Sequence, residues 1–354
     1  MSQTTVGHTL ASLQSRGLDR LDAQMLLLHL LGKPAKQRGW LLSHDDEPLP
    51  PTLATALEPL VLRRLSGEPL AYLTGHKEFF GLDLQVDARV LVPRPDTETL
   101  VNWALELLDG QQRVLDMGTG SGAIALALKA NKPTLEVHAS DFSAAALTVA
   151  QTNATKLKLD ISFHQGAWLA ALPAAAAPFD CIVSNPPYIA ELDSHLAALK
   201  FEPSLALTSG ADGLVDLRQI IVQAPKHLVP GGWLLLEHGY DQAHAVRHLL
   251  TASGFVQVQS RRDLAGIERC SGGQFSLPTH NIQTMTQPIE ERLTNLEIKT
   301  SFAEDLIDKL DQIIIRQQDQ IDRLEREVQW LRQQTPQEGM AMPRNLRDEL
   351  PPHY

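Results

Sequence analysis

Apolar residues over the first 75 positions recur at helical spacing only. "LASLQSRGLDRLDAQMLLLHLLG" and "LATALEPLVLRRLSG" are amphipathic, and the proline-rich "DDEPLPP" separates them, so residues 1–75 are expected to form a small helical bundle. The pattern then changes. "HKEFFGLDLQVDARVLVP" alternates apolar and polar positions around Gly81, which predicts a hairpin linker over 76–96. In "RPDTETLVNWALELLDG" helical spacing returns, with Asp96 placed to cap the helix, Glu98 suited to its positive end and Gly110 closing it.

From Arg113 to Phe275 short apolar runs alternate with helical stretches. "RVLDMG", "EVHASD", "ISFHQG", "FDCIVSN" and "GGWLLLEHG" read as strands of a doubly wound, largely parallel α/β sheet, and 97–277 as one domain. "FVQVQSRRDLAG" and "ERCSGGQF" have little helix between them, as strands at an antiparallel edge would. A different texture begins at Met285. Ile289, Leu293, Leu296, Thr300, Ala303, Ile307, Leu310, Ile314, Gln317, Ile321, Leu324, Val328 and Leu331 repeat in steps of four and three, and only Thr300 and Gln317 break the seam. Heptads with charged flanks predict a coiled coil over 289–334, hence self-association or a partner helix, with Gln317 fixing register. The polar 278–288 reads as a linker, and the composition of 335–354 predicts a disordered tail.

With 354 residues, 43% of them hydrophobic and 21% charged, the chain has the composition of a globular protein of two domains or more. Its longest apolar runs fall short of the roughly 20 residues that cross a bilayer, and no leader pattern opens it, which predicts a cytoplasmic protein. Cys181 and Cys270 are too few for a disulfide framework or a cysteine-rich metal site. A net charge of -11 argues against a basic face for nucleic acid. His238, His244 and His248 lack a third ligand at zinc spacing, so they read as a solvated helix face and no metal is expected.

In such a sheet, ligands bind beyond the carboxyl ends of the strands, and the chemistry-bearing residues fall there. The first strand ends in Asp116-Met117-Gly118-Thr119-Gly120-Ser121-Gly122, whose glycines permit a tight strand-to-helix turn and a close ligand approach. No lysine follows as in a phosphate-cradling loop, and the spacing is not that of a dinucleotide site. Asp141 ends the second strand, where a carboxylate can accept from both ribose hydroxyls. These features suit a nucleoside without an obligatory phosphate. S-adenosylmethionine is such a ligand, and its cationic centres suit Asp116 and Asp141.

The fourth strand ends in Asn185-Pro186-Pro187-Tyr188. Proline supplies a carbonyl without an N–H and drives the preceding residue into extended geometry, so this loop is stiff and rich in acceptors. The Asn185 side-chain oxygen and the Pro186 carbonyl can each accept one hydrogen of a planar NH2 group while Tyr188 packs on its face. Positioning that nitrogen in line with a methyl group is most of what a methyl-transfer enzyme must contribute. The expected catalytic residues are Asn185, Pro186 and Tyr188, with Pro187 joining them in substrate binding.

Residues 1 to about 277 resemble the HemK/PrmC release-factor glutamine methyltransferases. The likeness rests on "GEPLAYLTGHKEFFGLDLQVDARVLVPRPDTETLV", "VLDMGTGSGAIALAL", "SNPPYI", "FEPSLAL" with "GADGL", and "LLLEHG". It implies a Rossmann-like methyltransferase sheet, an N-terminal helical domain that docks class 1 peptide-chain release factors, and methylation of the glutamine of their Gly-Gly-Gln motif. The implied cofactor contacts are Gly118 to Gly122, including Thr119 and Ser121, with Asp141, Trp168 and Asn185; Asp116 and Phe142 complete the expected set. Two departures stand out. Ala167-Trp168 replaces an acid before the aromatic residue, and "SGGQFSLP" replaces the usual ending near "LGRY". The resulting Gly272-Gly273-Gln274 copies the substrate tripeptide and is read as a chance match in an edge strand. Residues 285–354 resemble the SlyX family of small coiled-coil proteins, with Met285 resembling a former start. The rival activity is amino methylation of a nucleic-acid base, for which the basic surface or target-recognition domain is not evident. A scaffold with a silent methyltransferase is the other alternative, against which the intact Asp116, Gly118, Gly120, Asp141 and Asn185 speak.

Overall fold

The computed structural model describes residues 5–173 and 175–276. The expected coiled coil over 289–334, linker over 278–288 and tail over 335–354 lie outside the described residues. Five helices open the chain: α1 (Val6–Ser15), α2 (Arg20–Leu30), α3 (Arg38–Ser43), α4 (Pro51–Leu65) and α5 (Leu70–Thr74). Thr5 and Asp19 cap α1 and α2 by accepting the N–H groups of His8 and Leu21. Their apolar faces meet in a core of their own that includes Val6, Leu13, Leu26, Leu27, Leu57 and Val61.

Gly75, in the left-handed region with φ 75°, ends α5 and sends the chain into the hairpin of β1 (His76–Phe79) and β2 (Leu82–Gln85). Phe80 and Gly81 both have positive φ at its two-residue turn, as a turn matching strand twist demands. Glu98 accepts the Phe80 N–H at 3.0 Å and so ties this turn to α6 (Glu98–Leu107). Asp96 does not cap that helix. Pro95 starts a tight 3₁₀ turn over Pro95–Thr97, so Asp96 sits inside it and Thr97 takes the cap position without a side-chain cap bond.

The sheet follows as β3 (Arg113–Met117), α7 (Ala123–Asn131), β4 (Glu136–Asp141), α8 (Ala144–Leu157), β5 (Ser162–Gln165), β6 (Phe179–Ser184), α9 (Val215–Gln223), β7 (Leu228–Glu237), α10 (Ala243–Ala252), β8 (Phe255–Arg262) and β9 (Glu268–Phe275). Its order is β5-β4-β3-β6-β7-β9-β8, parallel through β7, with β9 antiparallel to both neighbours. Both faces are covered, which explains the near-continuous apolar strands. Val114, Val183 and Leu235 face α6 and α7, while Leu115, Ile182 and Leu234 share the opposite core with Ile220 of α9 and Val246 of α10.

Side chains join the hairpin and the loop before α6 to this sheet. Asn153 of α8 accepts from Gln85 N at 2.7 Å and donates to Gln85 O and to Ser121 O at 3.0 and 2.9 Å. Glu202, 7% exposed, accepts from Val92 N at 3.0 Å and pairs with Arg94. The "PRPD" loop and the "FEPSLAL" loop are thereby one rigid piece.

Gly272 and Gly273 have a packing explanation. A Cβ on Gly272 would lie 2.6 Å from Leu235 Cδ2, and one on Gly273 would lie 2.8 Å from Phe255 Cβ. Gln274 stands opposite Trp233, donates to Gly231 O and accepts from Gln257, both at 2.8 Å. That places it toward the start of β7, roughly 13 Å along the sheet from the strand's carboxyl end. The tripeptide therefore belongs to the sheet and does not face the Asn185 loop of the same chain. Gly272→Ala should lower stability by about 1–3 kcal/mol through overpacking, read from urea unfolding. Wild-type stability in that variant would contradict the packing account.

Candidate active site

The turn after β3 is held by backbone contacts to β4. Gly118 N and Thr119 N both donate to Ser140 O, at 2.9 and 3.0 Å. Gly118, Gly120 and Gly122 have φ of 69°, 56° and 85°, which side chains resist. The three do different work. A Cβ on Gly122 would press on Leu126 and Ala150, whereas one on Gly120 would meet nothing within 4 Å, so the loop keeps an open face there.

Two acids frame this loop. Asp116 is fully buried; its Oδ2 accepts from the Thr119 hydroxyl at 2.6 Å and from Ala125 N at 3.1 Å. Its Oδ1 has no hydrogen-bond partner among the described residues. Burial pushes Asp116 up to about 7 against the pull of those two bonds. Asp141 also lies above its ordinary value through burial, opposed by the N–H groups of Ser143 and Gly120, which donate to its two oxygens at 2.8 and 2.9 Å. Each oxygen retains a lone pair for a ligand. Phe142, next in the chain, is 68% exposed despite its apolar ring, whereas Thr119 and Ser121 are buried.

Trp168 packs against the glycine turn, its Cζ3 3.4 Å from the position a Gly118 Cβ would take. Its φ of 48° is unusual for a bulky residue, and its indole N–H donates to Asp216 of α9 at 3.2 Å. The ring is thus fixed from behind, between the loop and α9. Ala167 before it is exposed.

At the end of β6, the Ser184 hydroxyl donates to Met117 O at 2.7 Å, binding this strand end to the one that carries the glycine turn. Asn185 Nδ2 donates to Thr97 Oγ1 at 3.2 Å. Pro186 is buried and Pro187 half-buried. Tyr188 is fixed at both ends: its carbonyl accepts from Gln242 Nε2 at 3.0 Å and its hydroxyl faces Glu237 Oε1 at 3.4 Å. Gly213 of "GADGL" explains itself here, since a Cβ on it would fall 2.2 Å from Tyr188 O. Burial holds the Tyr188 hydroxyl well above its ordinary value, helped by the Glu237 charge.

Glu237, the last residue of β7, is buried and raised to about 7 by that burial. The nearby Thr97 hydroxyl is the strongest influence opposing the rise, and Oε2 has no hydrogen-bond partner among the described residues. Neither Thr97 nor Glu237 emerges from sequence reasoning as a site residue, although both lie inside the quoted "PRPDTE" and "LLLEHG". The histidine expectation also needs correction. His238 is not on a solvated helix; it is buried past the end of β7, where its ring bonds Ser271 Oγ at 2.7 Å and Gly239 O at 2.9 Å. His244 and His248 do lie exposed on α10.

A parallel sheet with an antiparallel β9 inserted beside β7, a glycine turn after β3 and an acid ending β4 defines a Rossmann-like S-adenosylmethionine methyltransferase. Comparison with known proteins narrows the class. The PrmC N-terminal domain model matches residues 7–75, the Methyltransferase small domain model 96–201 and the SlyX model 289–354. A release factor glutamine methyltransferase of Bordetella pertussis is 52% identical over 261 residues, covering 73% of this chain and 95% of that protein. One of Burkholderia pseudomallei is 49% identical over 274 residues, covering 74% and 94%. A solved methyltransferase of Pyrococcus furiosus covers 61% of this chain and 98% of its own at 20% identity, with a TM-score of 0.44. The chain belongs to the release factor glutamine methyltransferase family.

The buried acids make stability depend on pH. Asp116 holds its proton more tightly folded than unfolded, so it favours the folded chain at low pH, and this contribution is lost as pH climbs from about 4 to about 7. Asp116→Asn cannot ionise. Its urea midpoint should therefore gain on wild type between about pH 5 and about pH 7.5. A constant difference across that range would refute the assignment.

Proposed function

We propose that this chain transfers a methyl group from S-adenosylmethionine to the side-chain amide nitrogen of the glutamine in the Gly-Gly-Gln motif of class 1 release factors. The carrying observation is Asn185 on the end of β6, its NH2 engaged by Thr97 so that its oxygen is the free end, with Pro186 and Tyr188 fixed beside it. Membership of a family whose members bear that activity in their names supports the substrate.

The residues present fit the cofactor. The unpartnered Asp116 Oδ1, the open face of Gly120 and the exposed Phe142 ring ask for a ligand that is part cationic and part flat and apolar. In this reading Gly118 to Gly122 receive its backbone-like portion, Asp141 its ribose hydroxyls, and Phe142 and Trp168 its base. Bound there, S-adenosylmethionine supplies an electrophilic methyl group on sulfonium. Asn185 Oδ1 and the Pro186 carbonyl accept the two hydrogens of the glutamine amide, and Tyr188 packs against its plane. Held so, the nitrogen would be positioned to attack the methyl carbon, its new bond to carbon forming as the carbon–sulfur bond breaks, with S-adenosylhomocysteine leaving and one amide proton going to water.

The wider organisation is part of the same proposal. Residues 1–75 dock the release factor, 76–96 link, 97–277 catalyse, 278–288 join, 289–334 self-associate as a coiled coil, and 335–354 form the tail. No helix among the described residues is long and apolar enough to cross a membrane; a cytoplasmic place beside the translation machinery is proposed from the release-factor relatives. The acidic balance of -11 weighs against a nucleic-acid substrate.

Mass spectrometry of an unmethylated release factor after incubation with the chain and S-adenosylmethionine tests this. One methyl group on the Gly-Gly-Gln glutamine is expected, with a rate loss of about 10²-fold or more in Asn185→Ala. A methyl group elsewhere, or an Asn185→Ala rate equal to wild type, would refute the reading. Asp141→Ala should weaken S-adenosylmethionine binding by about tenfold or more in calorimetry.

A further inference from the structure

Thr97 and Glu237 are 5% and 1% exposed, polar side chains buried beside the Asn185 loop. Thr97 closes the 3₁₀ turn before α6, and Glu237 ends β7, the neighbour of the strand that carries Asn185. A hydroxyl has one hydrogen and two lone pairs. Because Thr97 Oγ1 accepts from Asn185 Nδ2, its own proton is free for a second acceptor. The pairing of Ser184 with Leu236 sets Glu237 beside Asn185; its buried Oε2 has no hydrogen-bond partner among the described residues, while Oε1 faces the Tyr188 hydroxyl at 3.4 Å.

We infer that Glu237, acting through Thr97, sets the polarity of Asn185 and thereby selects an NH2-bearing substrate. In its ionised form Glu237 only accepts, so the Thr97 hydroxyl donates toward it; Thr97 Oγ1 then accepts from Asn185 Nδ2; and Asn185 Oδ1 is left facing the substrate as an acceptor. Reversing this chain would turn the Asn185 NH2 outward, where it would meet the hydrogens of a glutamine amide and favour a carbonyl or carboxylate instead. The same carboxylate orients the Tyr188 hydroxyl, so one buried acid aligns two sides of the substrate site. Thr97 and Glu237 are positioning residues, since neither touches the substrate amide. The inference rests on the proposed glutamine reading and names how that site excludes other polar groups.

The test uses the full chain, S-adenosylmethionine and an unmethylated release factor. Thr97→Val removes the hydroxyl at similar volume, Thr97→Ser retains it, and Glu237→Gln replaces a pure acceptor by a group that can also donate. Expected is a fall in kcat of about tenfold or more in Thr97→Val and in Glu237→Gln, with cofactor Kd close to wild type in both. Thr97→Ser should recover most of the rate. Independently of turnover, the side-chain amide of Asn185, assigned in a nitrogen-proton NMR spectrum by its loss in Asn185→Ala, should exchange slowly in wild type and rapidly in Thr97→Val. Wild-type kcat with unchanged Asn185 protection in Thr97→Val, or Thr97→Ser as slow as Thr97→Val, would overturn the inference. A wild-type chain that transfers no methyl group would sink the glutamine reading alone, and the Asn185 amide signal would still decide the polarity relay.

Discussion

The parallel register of β6 beside β3 is the constraint on which the site depends. Ser184 lies opposite Met117, and its hydroxyl closes the pair by donating to the Met117 carbonyl at 2.7 Å. Strands in a sheet run about 4.8 Å apart, so the glycine turn and the Asn185 loop leave the sheet from adjacent points. Met117 in turn lies opposite Ser140, one residue before Asp141. A shift of one residue in either pairing would turn Asn185 or Asp141 to the other face of the sheet. The apolar cores on both faces forbid such a shift, because every inward side chain of β3 and β6 would change sides. Packing far from the chemistry thus fixes the chemistry's geometry.

The carboxyl edge so formed is unusually rich in buried acid. Asp116, Asp141 and Glu237 all sit above the ordinary carboxylate range through burial, and the loops hold them with N–H and O–H donors rather than with close cations. Arg94 and Arg269 stand nearby, but their close ion pairs are with Glu202 and Asp263. An edge of this kind suits a ligand that carries positive charge of its own, and it is poorly suited to phosphate. The same electrostatic reasoning separates the site from phosphate-cradling loops that share the strand-glycine-helix outline.

Much of this was legible in the sequence because it is local. Strands buried on both faces are mostly apolar, and the middles of β3, β6 and β7 were; the turn residues after β3 and β6 announce themselves as glycine and proline. Phe80-Gly81 fits a two-residue hairpin turn for the same reason. What escaped reading depends on contacts between distant positions. Thr97 meets Asn185 across 88 residues of chain, and Glu237 meets Tyr188 across 49, through a strand neighbour that only the sheet order reveals. Asp96 misled as a cap because Pro95 begins a 3₁₀ turn one step earlier than helical spacing suggests. His238 misled because the strand runs up to it before the helix starts. The Gly272-Gly273-Gln274 match, which sequence alone could weigh only as chance, has a steric cause in the crowding of β9 between β7 and β8.

The central claim is that Asn185 presents an acceptor to the nitrogen of a glutamine side chain. A crystal structure of the full chain with S-adenosylhomocysteine and a Gly-Gly-Gln peptide tests it most directly. The account predicts the glutamine nitrogen within hydrogen-bond distance of both Asn185 Oδ1 and the Pro186 carbonyl, with Asn185 Nδ2 still on Thr97. A glutamine bound with its carbonyl oxygen toward Asn185, or seated away from the β6 loop altogether, would contradict it.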